Sequence, residues 1–309
     1  MSARIAAIDF GTNTARLLIA DVAGPGPGDF EHVCLEREIV RMGGGFSREQ
    51  GLSREAQERG MGCLARFGSL IREHGVSRIR AVATSAVRDA VNGAEFVARV
   101  RRETGISLEI IDGTAEGRLT LAGVLAGLDR HHDELLLFDV GGGSTEYTVA
   151  RGGEARFIRS LPLGVVRLTE GKVMPGAMQE KIRRELALLG REMESAGCRM
   201  GPGVPLIGTA GTATTLAAIS MGMVDYDYRK VNNAVVSRKK IREIYEQLLP
   251  LSPEERLMVP GLEKGREDLI IAGTLITLQT MEMFGADALK VSDYGLLEGL
   301  VVCGDVPGC

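Results

Sequence analysis

The stretch from Asp139 to Glu146 combines two carboxylates, three consecutive glycines and two hydroxyls, directly after an apolar run. Glycines in such a turn let a phosphate approach the backbone N–H groups, because no Cβ stands in the way. The hydroxyls of Ser144 and Thr145 add donors, and the two carboxylates can hold a hard cation. The residue types therefore indicate phosphate chemistry, although an ordinary glycine-rich hairpin would have the same composition.

The same pattern occurs a second time near the N-terminus. Asp9 falls on Asp139, and the following positions as far as Ala20 align without a gap at the same offset of 130 residues. Solenoid repeats have periods of roughly 20 to 50 residues, so a repeat this long indicates two related domains. Two domains that each carry a phosphate-sized turn are expected to enclose an anionic ligand in the cleft between them.

Strands and helices must position these turns. Apolar runs that end in the turns predict hairpins, and Ser53 is expected to cap a helix that runs to about His74. An amphipathic pattern predicts a second long helix over 179–194, and the polar stretch 226–233 is predicted to be a loop. At 309 residues the length suits about two domains of ~150 residues each. We predict an α/β fold with domains at 1–127 and 128–309, whose last helix, from about 295, packs back on the first domain.

Composition excludes several classes of protein. The 44% hydrophobic content suffices for two cores, and the net charge of −4 argues against broad nucleic-acid binding. The five cysteines are odd in number and never form a Cys-x-x-Cys pair, which favours reduced thiols. No leader sequence and no apolar run of ~18 residues is visible, so we expect a cytoplasmic protein without a membrane span.

Three further stretches place polar residues at strand ends, where α/β proteins bind ligands. Arg88 follows the strand that ends at Thr84; a surface charge is the alternative, and phosphate binding is favoured. Glu116 lies in the first turn of a helix that begins near Thr114, where a capping or dipole role is common and is the leading interpretation from these residues alone. The stretch 205–218 reads as a strand, a glycine loop and a helix whose N-terminus suits an anion.

Eight stretches, in order, resemble the exopolyphosphatase/guanosine pentaphosphate phosphatase (Ppx/GppA) family of the actin, sugar-kinase and heat-shock-chaperone superfamily. They are 7–18, 83–92, 111–124, 138–146, 163–169, 208–216, 266–273 and 291–299. Each stretch is weak by itself, but together they cover essentially the whole chain. The resemblance implies the short form of the family, with two actin-like (ribonuclease H-like) domains and the active site in the cleft between them.

The resemblance also implies roles for individual residues. Glu116 matches the glutamate that activates water, which replaces the capping interpretation. Acidic residues beside a divalent cation, Mg²⁺ or Mn²⁺, are implied at Asp9, Asp139 and Glu146. Phosphate-binding positions are implied at Gly11, Thr12, Asn13, Thr14, Arg16, Arg88, Gly141, Gly142, Gly143, Ser144, Thr145, Gly208, Thr209, Gly211, Thr212 and Arg266.

The implied reaction is hydrolysis of a terminal phosphoanhydride, either of inorganic polyphosphate or at the 5′-phosphate of guanosine pentaphosphate. No guanine-reading motif decides between these substrates, and the resemblance is compatible with a homodimer. Three positions depart from the family pattern. Ala115 stands where many relatives have a second glutamate, Asp112 replaces a frequent serine, and Leu297 replaces a common arginine.

Two other functions are weighed against this one. An ATP-dependent small-molecule kinase of the same superfamily would use the loop 208–212 for adenosine, but the cysteine-rich zinc motif of short sugar kinases is absent and the setting of Glu116 is unlike that of a kinase base. A non-catalytic nucleotide-binding sensor or filament protein would change shape or polymerise with nucleotide. Phosphate release separates the main hypothesis from both.

Overall fold

The computed structural model describes residues 3–24, 28–47, 49–171, 174–201 and 203–304. Two compact units divide the chain. Unit 1 comprises the residues up to 126 together with those from 295 onward, and unit 2 comprises 127–294.

Unit 1 contains a mixed sheet of five strands with helices between the parallel strands. Its elements up to the first unit boundary are β1 (Ala3–Phe10), β2 (Thr14–Val22), β3 (Phe30–Ile39), α1 (Arg54–Glu73), β4 (Arg78–Ala83), α2 (Ser85–Arg88), α3 (Gly93–Thr104), β5 (Leu108–Ile110) and α4 (Gly113–Gly127). The strand order is β3-β2-β1-β4-β5. Strands β1 to β3 are antiparallel neighbours, and β4 and β5 extend the sheet parallel to β1.

Unit 2 contains a mixed sheet of six strands. Its elements are β6 (Glu134–Val140), β7 (Thr145–Arg151), β8 (Glu154–Leu161), α5 (Val165–Gly171), α6 (Pro175–Ser195), β9 (Leu206–Thr209), α7 (Ala210–Ser220), α8 (Tyr228–Val231), β10 (Val235–Ser237), α9 (Arg238–Leu248), α10 (Pro253–Arg256), α11 (Ile270–Met283) and β11 (Ala288–Val291). The strand order is β10-β11-β9-β6-β7-β8. The last helix of the chain, α12 (Leu296–Val302), belongs to unit 1.

The two sheets share one plan, which confirms the prediction of two α/β domains of related topology. In each unit the first three strands form an antiparallel meander, and the fourth lies parallel to the first on its other side. The repeated turns occupy equivalent places, since Asp9 is paired with Arg16 across β1 and β2, and Asp139 with Glu146 across β6 and β7. The sequence repeat is therefore a repeat of strand register as well.

Helix α12 packs against α4 through glycines in unit 1. A Cβ on Gly123 would lie 1.9 Å from the carbonyl oxygen of Gly295, and a Cβ on Gly299 would lie 1.9 Å from that of Leu119. Both distances are too short for any larger residue, so the two backbones approach each other only because these positions are glycines. This contact fixes α4, the helix that carries Glu116, in the unit 1 fold.

Several predicted details are confirmed and a few are wrong. The Ser53 hydroxyl accepts from the Ala56 N–H and caps α1, as predicted. The stretch 226–233, predicted to be a loop, contains the short helix α8. Cys34, Cys63 and Cys198 are free thiols, but Cys303 is disulfide-bonded, so the expectation of reduced cysteines is wrong there. Within the described ranges, no helix is both long enough and apolar enough to cross a bilayer.

Candidate active site

The first turn, in unit 1, spans β1 and β2 and is closed by a hydrogen bond of 3.0 Å from the Gly11 N–H to the Thr14 carbonyl. The carbonyls of Thr12 and Asn13 accept hydrogen bonds from N–H groups of the segment 40–43. In the described part of the chain, the N–H groups of Thr12 and Asn13 donate to no carbonyl. The turn is thus anchored through its oxygens, and its N–H groups remain available to an anion.

The second turn, in unit 2, repeats this arrangement. The Gly141 N–H donates to the Ser144 carbonyl at 3.0 Å, as in the first turn. The N–H groups of Val165 and Val166, at the start of α5, donate to the carbonyls of Gly141 and Gly142 at 3.0 and 2.9 Å. Both repeats therefore use a following segment to hold the carbonyl side of the turn.

Gly164 supports the second turn by its lack of a side chain. A Cβ at this position would lie 2.2 Å from the carbonyl oxygen of Gly142 and 2.3 Å from the backbone of Gly143. Gly164→Ala must displace the turn, so we expect a stability loss of about 1–3 kcal/mol in urea unfolding and a raised KM for the phosphate substrate. Gly171→Ala at the end of α5 is the control, because no atom of the described residues lies within 4 Å of its Cβ position. Wild-type stability and KM in Gly164→Ala would show that the turn does not depend on this contact.

In unit 1 the predicted cation ligand Asp9 is an ion-pair partner of Arg16. The Arg16 Nη2 lies 2.8 Å from Asp9 Oδ2, and its Nε donates to the same oxygen at 3.2 Å. Asp9 is 8% exposed, and a buried carboxylate needs a partner. The guanidinium of Arg16 supplies the compensating charge. The pairing follows from the register, which places the two residues opposite each other on β1 and β2.

In unit 2 the equivalent pair is acidic. Asp139 and Glu146 are opposite each other on β6 and β7 and are 8% and 1% exposed. Ser160, opposite Glu146 on β8, donates from Oγ to Glu146 Oε1 at 2.6 Å. Carboxylate oxygens suit Mg²⁺, which proteins commonly hold with one or two carboxylates and substrate phosphates. The donor set therefore fits a hard divalent cation, and within the described ranges no group of three or more His, Cys, Asp or Glu side chains is placed to hold a metal ion.

Glu116 lies in the first turns of α4 and is paired with Arg88. Arg88 Nη1 lies 3.0 Å from Glu116 Oε2 and also donates to the carbonyl of Ile111 at 3.1 Å. Helix α2, which ends at Arg88, is tied to the first turn, because the Ala86 N–H donates to Thr12 Oγ1 at 3.2 Å. The structure thus connects the first turn, Arg88 and Glu116 in one part of unit 1.

The capping role that the sequence allowed for Glu116 belongs to Asp112. Asp112 Oδ1 accepts from the Ala115 N–H at 2.8 Å, which is the hydrogen bond of an N-cap. Asp112 therefore caps α4 as a serine would. Leu297 is fully buried in an apolar cluster of unit 1 and contributes packing there. Glu116 is 7% exposed and paired with Arg88, while the cap hydrogen bond of α4 is made by Asp112.

The third predicted loop joins β9 to α7 in unit 2. Gly208 lies within the sheet, paired with Phe138 on one side and Val291 on the other. The hydroxyl of Thr209 donates to the carbonyl of Tyr294 at 2.9 Å. Ala210 has φ of +62°, a left-handed conformation that strains a residue with a Cβ. The strain lies where the strand turns into the helix, as is common at ligand sites.

Gly211 accommodates the guanidinium of Arg266. A Cβ on Gly211 would lie 1.7 Å from Nη1 of Arg266, so a larger residue there would displace the guanidinium. Arg266 Nε also donates to Glu263 Oε2 at 2.9 Å. Thr212 packs on Gly273 of α11, where a Cβ would lie 2.4 Å from the Thr212 hydroxyl. The predicted residues Gly211 and Arg266 are therefore neighbours.

Tyr226 adds a neutral donor close to this loop. Its phenol donates to Asp293 Oδ1. Partial loss of hydration, and then the Asp293 carboxylate, raise the pKa of Tyr226 above its ordinary value, although half of the residue is exposed.

The structure groups the predicted residues by unit. Unit 1 holds Asp9, Gly11, Thr12, Asn13, Thr14, Arg16, Arg88 and Glu116, and unit 2 holds Asp139, Gly141, Gly142, Gly143, Ser144, Thr145, Glu146, Gly208, Thr209, Gly211, Thr212 and Arg266. That the two turns face one cleft stays a prediction. Ser160 and Gly164 were missed by sequence reasoning. Counting the register from the turn between β7 and β8 would have placed Arg159 opposite Glu146, because a bulge between Val149 and Ala150 shifts the pairing by one residue to Ser160.

The chain therefore has two related α/β units with equivalent glycine turns, and a buried glutamate in unit 1 that is paired with an arginine. A model of the Ppx/GppA phosphatase family matches residues 18–304, and the chain belongs to this family. It is therefore a hydrolase of phosphoanhydride bonds with two related α/β units, as predicted.

Similar proteins match this chain over almost its full length. "Exopolyphosphatase 2" of Mycobacterium tuberculosis is 34% identical over 97% of this chain and 98% of its own. A crystal structure of the Ppx/GppA family member of Aquifex aeolicus has a TM-score of 0.80 at 33% identity, covering 98% of this chain and 97% of its own. That of an exopolyphosphatase from Cytophaga hutchinsonii has a TM-score of 0.87 at 27% identity, covering 97% of each chain.

Proposed function

We propose that this protein is a Mg²⁺-dependent (or Mn²⁺-dependent) phosphatase that removes the terminal phosphate of inorganic polyphosphate, the 5′-phosphate of guanosine pentaphosphate, or both. The observation that carries the proposal is Glu116, a buried carboxylate that is paired with Arg88 at 3.0 Å and lies on a helix capped by Asp112. The names of the relatives support a polyphosphate-type substrate. We propose the cytoplasm as its compartment, and a homodimer remains a proposal as well.

In the proposed reaction, Glu116 orients a water molecule and accepts one of its protons. The water oxygen forms a bond to the terminal phosphorus, the bridging P–O bond breaks, and the shortened chain leaves with the bridging oxygen. A phosphoanhydride leaves readily, so the demanding steps are placing the water and accepting its proton. A buried carboxylate is stable as an anion only when it is paired, and Arg88 supplies that partner.

The two turns and the arginines bind and orient the substrate in this proposal. N–H groups around Thr12 and Gly142 donate to phosphate oxygens, and Arg16, Arg88 and Arg266 add forked donors suited to phosphate. Asp139 and Glu146 would hold the divalent cation, which supplies charge stabilisation to the phosphoryl oxygens when it is bound. Asp9 is predicted to support this site less directly, because Arg16 already offsets its charge.

The experiment is one series of assays with purified protein, Mg²⁺ and three substrates. These are tripolyphosphate, long-chain polyphosphate and guanosine pentaphosphate. We expect release of inorganic phosphate from at least one of them, and the ratio of kcat/KM values identifies the preferred substrate. Transfer of phosphate from ATP to a sugar, or nucleotide-dependent polymerisation, in the absence of phosphate release from all three would overturn the proposal.

Asp139→Asn tests the cation site. The amide keeps the size of the side chain but removes its charge, so the apparent affinity for Mg²⁺ should fall and excess Mg²⁺ should restore part of the activity. The measurement is the rate of phosphate release as a function of Mg²⁺ concentration. Asp133→Asn is the control, since its carboxylate is fully exposed in the same unit. An unchanged Mg²⁺ dependence in Asp139→Asn would remove this residue from the cation site.

A further inference from the structure

Asp139, Glu146 and Ser160 form a row across three neighbouring strands of unit 2. Each is the direct register partner of the next, on β6, β7 and β8. Residues directly opposite each other on neighbouring strands point to the same face of a sheet, so all three side chains share one face. The Ser160 hydroxyl donates to Glu146 Oε1 at 2.6 Å, a short hydrogen bond to a carboxylate that is 1% exposed.

Unit 1 has different chemistry at the equivalent positions. There, Asp9 on β1 is opposite Arg16 on β2, and Arg16 is opposite Arg37 on β3. The cationic Arg16 offsets the charge of Asp9. In unit 2 the outer position of the row is the neutral Ser160, which can orient Glu146 without cancelling its charge. At these equivalent positions unit 1 therefore carries two arginines beside its aspartate, whereas unit 2 carries two carboxylates and a serine.

We propose that Ser160 is a positioning residue, which fixes the carboxylate of Glu146 in the orientation that binds the divalent cation together with Asp139. This inference rests on the proposed function, because it presumes that Asp139 and Glu146 hold that cation. A carboxylate at a metal site is commonly oriented by a hydrogen bond to its second oxygen, and loss of such a partner typically weakens metal binding about 10- to 100-fold. Ser160 makes this hydrogen bond from β8, a strand that borders neither of the two glycine turns.

The test is calorimetric titration of the substrate-free protein with Mn²⁺. Ser160→Ala should raise the dissociation constant of Mn²⁺ about tenfold or more, and Ser160→Thr, which keeps a hydroxyl and suits a strand, should stay close to wild type. Ser220→Ala is the matched control, because its hydroxyl donates a hydrogen bond of 2.8 Å to the Ala217 carbonyl at the far end of α7. If Ser160→Ala did not fold, Ser160→Cys would replace it. Because its S–H is only a weak donor, the dissociation constant of Mn²⁺ should rise in this variant as well.

Steady-state kinetics provide an independent readout. In Ser160→Ala the Mg²⁺ concentration for half-maximal phosphate release should rise, while kcat at saturating Mg²⁺ stays within a few-fold of wild type. A purely structural role would lower stability without moving the Mn²⁺ affinity. Equal Mn²⁺ affinity in wild type and Ser160→Ala, equal weakening in Ser220→Ala, or no Mn²⁺ binding by wild type would each overturn the inference. Failure of the proposed function is a separate result, namely no phosphate release by wild type from any of the three substrates.

Discussion

Glu116→Gln is expected to lower kcat for phosphate release by about 10²- to 10⁴-fold, the usual contribution of general-base catalysis. Glutamine keeps the size of the side chain and its capacity to accept a hydrogen bond from Arg88, but it cannot take a proton from water. KM should change little, because the substrate is bound mainly by the turns and the arginines. The measurement is steady-state release of phosphate at saturating Mg²⁺, with circular dichroism to verify the fold.

Asp112 provides the matched control for this variant. Asp112→Ala removes the N-cap of the same helix, so it should cost about 1 kcal/mol of stability and leave kcat within a few-fold of wild type. Under the capping interpretation, Glu116→Gln would instead lose a little stability and retain near-normal turnover. A folded Glu116→Gln protein with kcat within a few-fold of wild type contradicts the assignment of the base.

Arg88→Ala is expected to destabilise unit 1 by about 3 kcal/mol, because removing one partner of a buried ion pair leaves the other charge buried. The side chains of Arg88 and Glu116 are only 21% and 10% exposed. The variant should also lose most of its activity, since Glu116 loses the group that orients it. Urea unfolding measures the first effect and phosphate release measures the second.

A double variant separates charge burial from general loss of packing. Arg88→Ala with Glu116→Gln leaves a neutral amide in place of the buried carboxylate, so more than half of the lost stability should return. Arg99→Ala is the control, because its partners Glu58 and Glu103 are 53% and 41% exposed, and exposed pairs contribute about 0–1 kcal/mol each. If Arg88→Ala cost no more than Arg99→Ala, the Arg88–Glu116 pair would not stabilise the fold.

The repeated turns were predictable from the sequence because they follow from local patterns. Each apolar run ends in an aspartate and a glycine, and the hairpin length then fixes which residues are opposite each other. The register of Asp9 with Arg16, and of Asp139 with Glu146, follows directly from that length. The cap of α1 at Ser53 was predictable for the same reason, since capping depends on a few neighbouring residues.

Contacts between distant segments were not predictable from local patterns. Arg88 and Glu116 lie 28 residues apart, and their pairing depends on where α2 and α4 pack in unit 1. The ion pair of Asp9 with Arg16 shows a different difficulty: the register was available, but the resemblance assigned one residue to the cation and the other to phosphate. Gly164 is required by tertiary packing alone, because its neighbours on the second turn are 21 and 22 residues away in the chain.

Hydrolysis in ¹⁸O-labelled water tests the central claim most directly. Wild-type protein and Glu116→Gln are each mixed with tripolyphosphate and Mg²⁺ under single-turnover conditions, and the products are analysed by mass spectrometry. If water attacks the terminal phosphorus with Glu116 as the base, the released phosphate carries one ¹⁸O atom, the shortened chain carries none, and the labelled product forms about 10²- to 10⁴-fold more slowly with Glu116→Gln. Label in the shortened chain, or equal rates for the two proteins, would contradict the account.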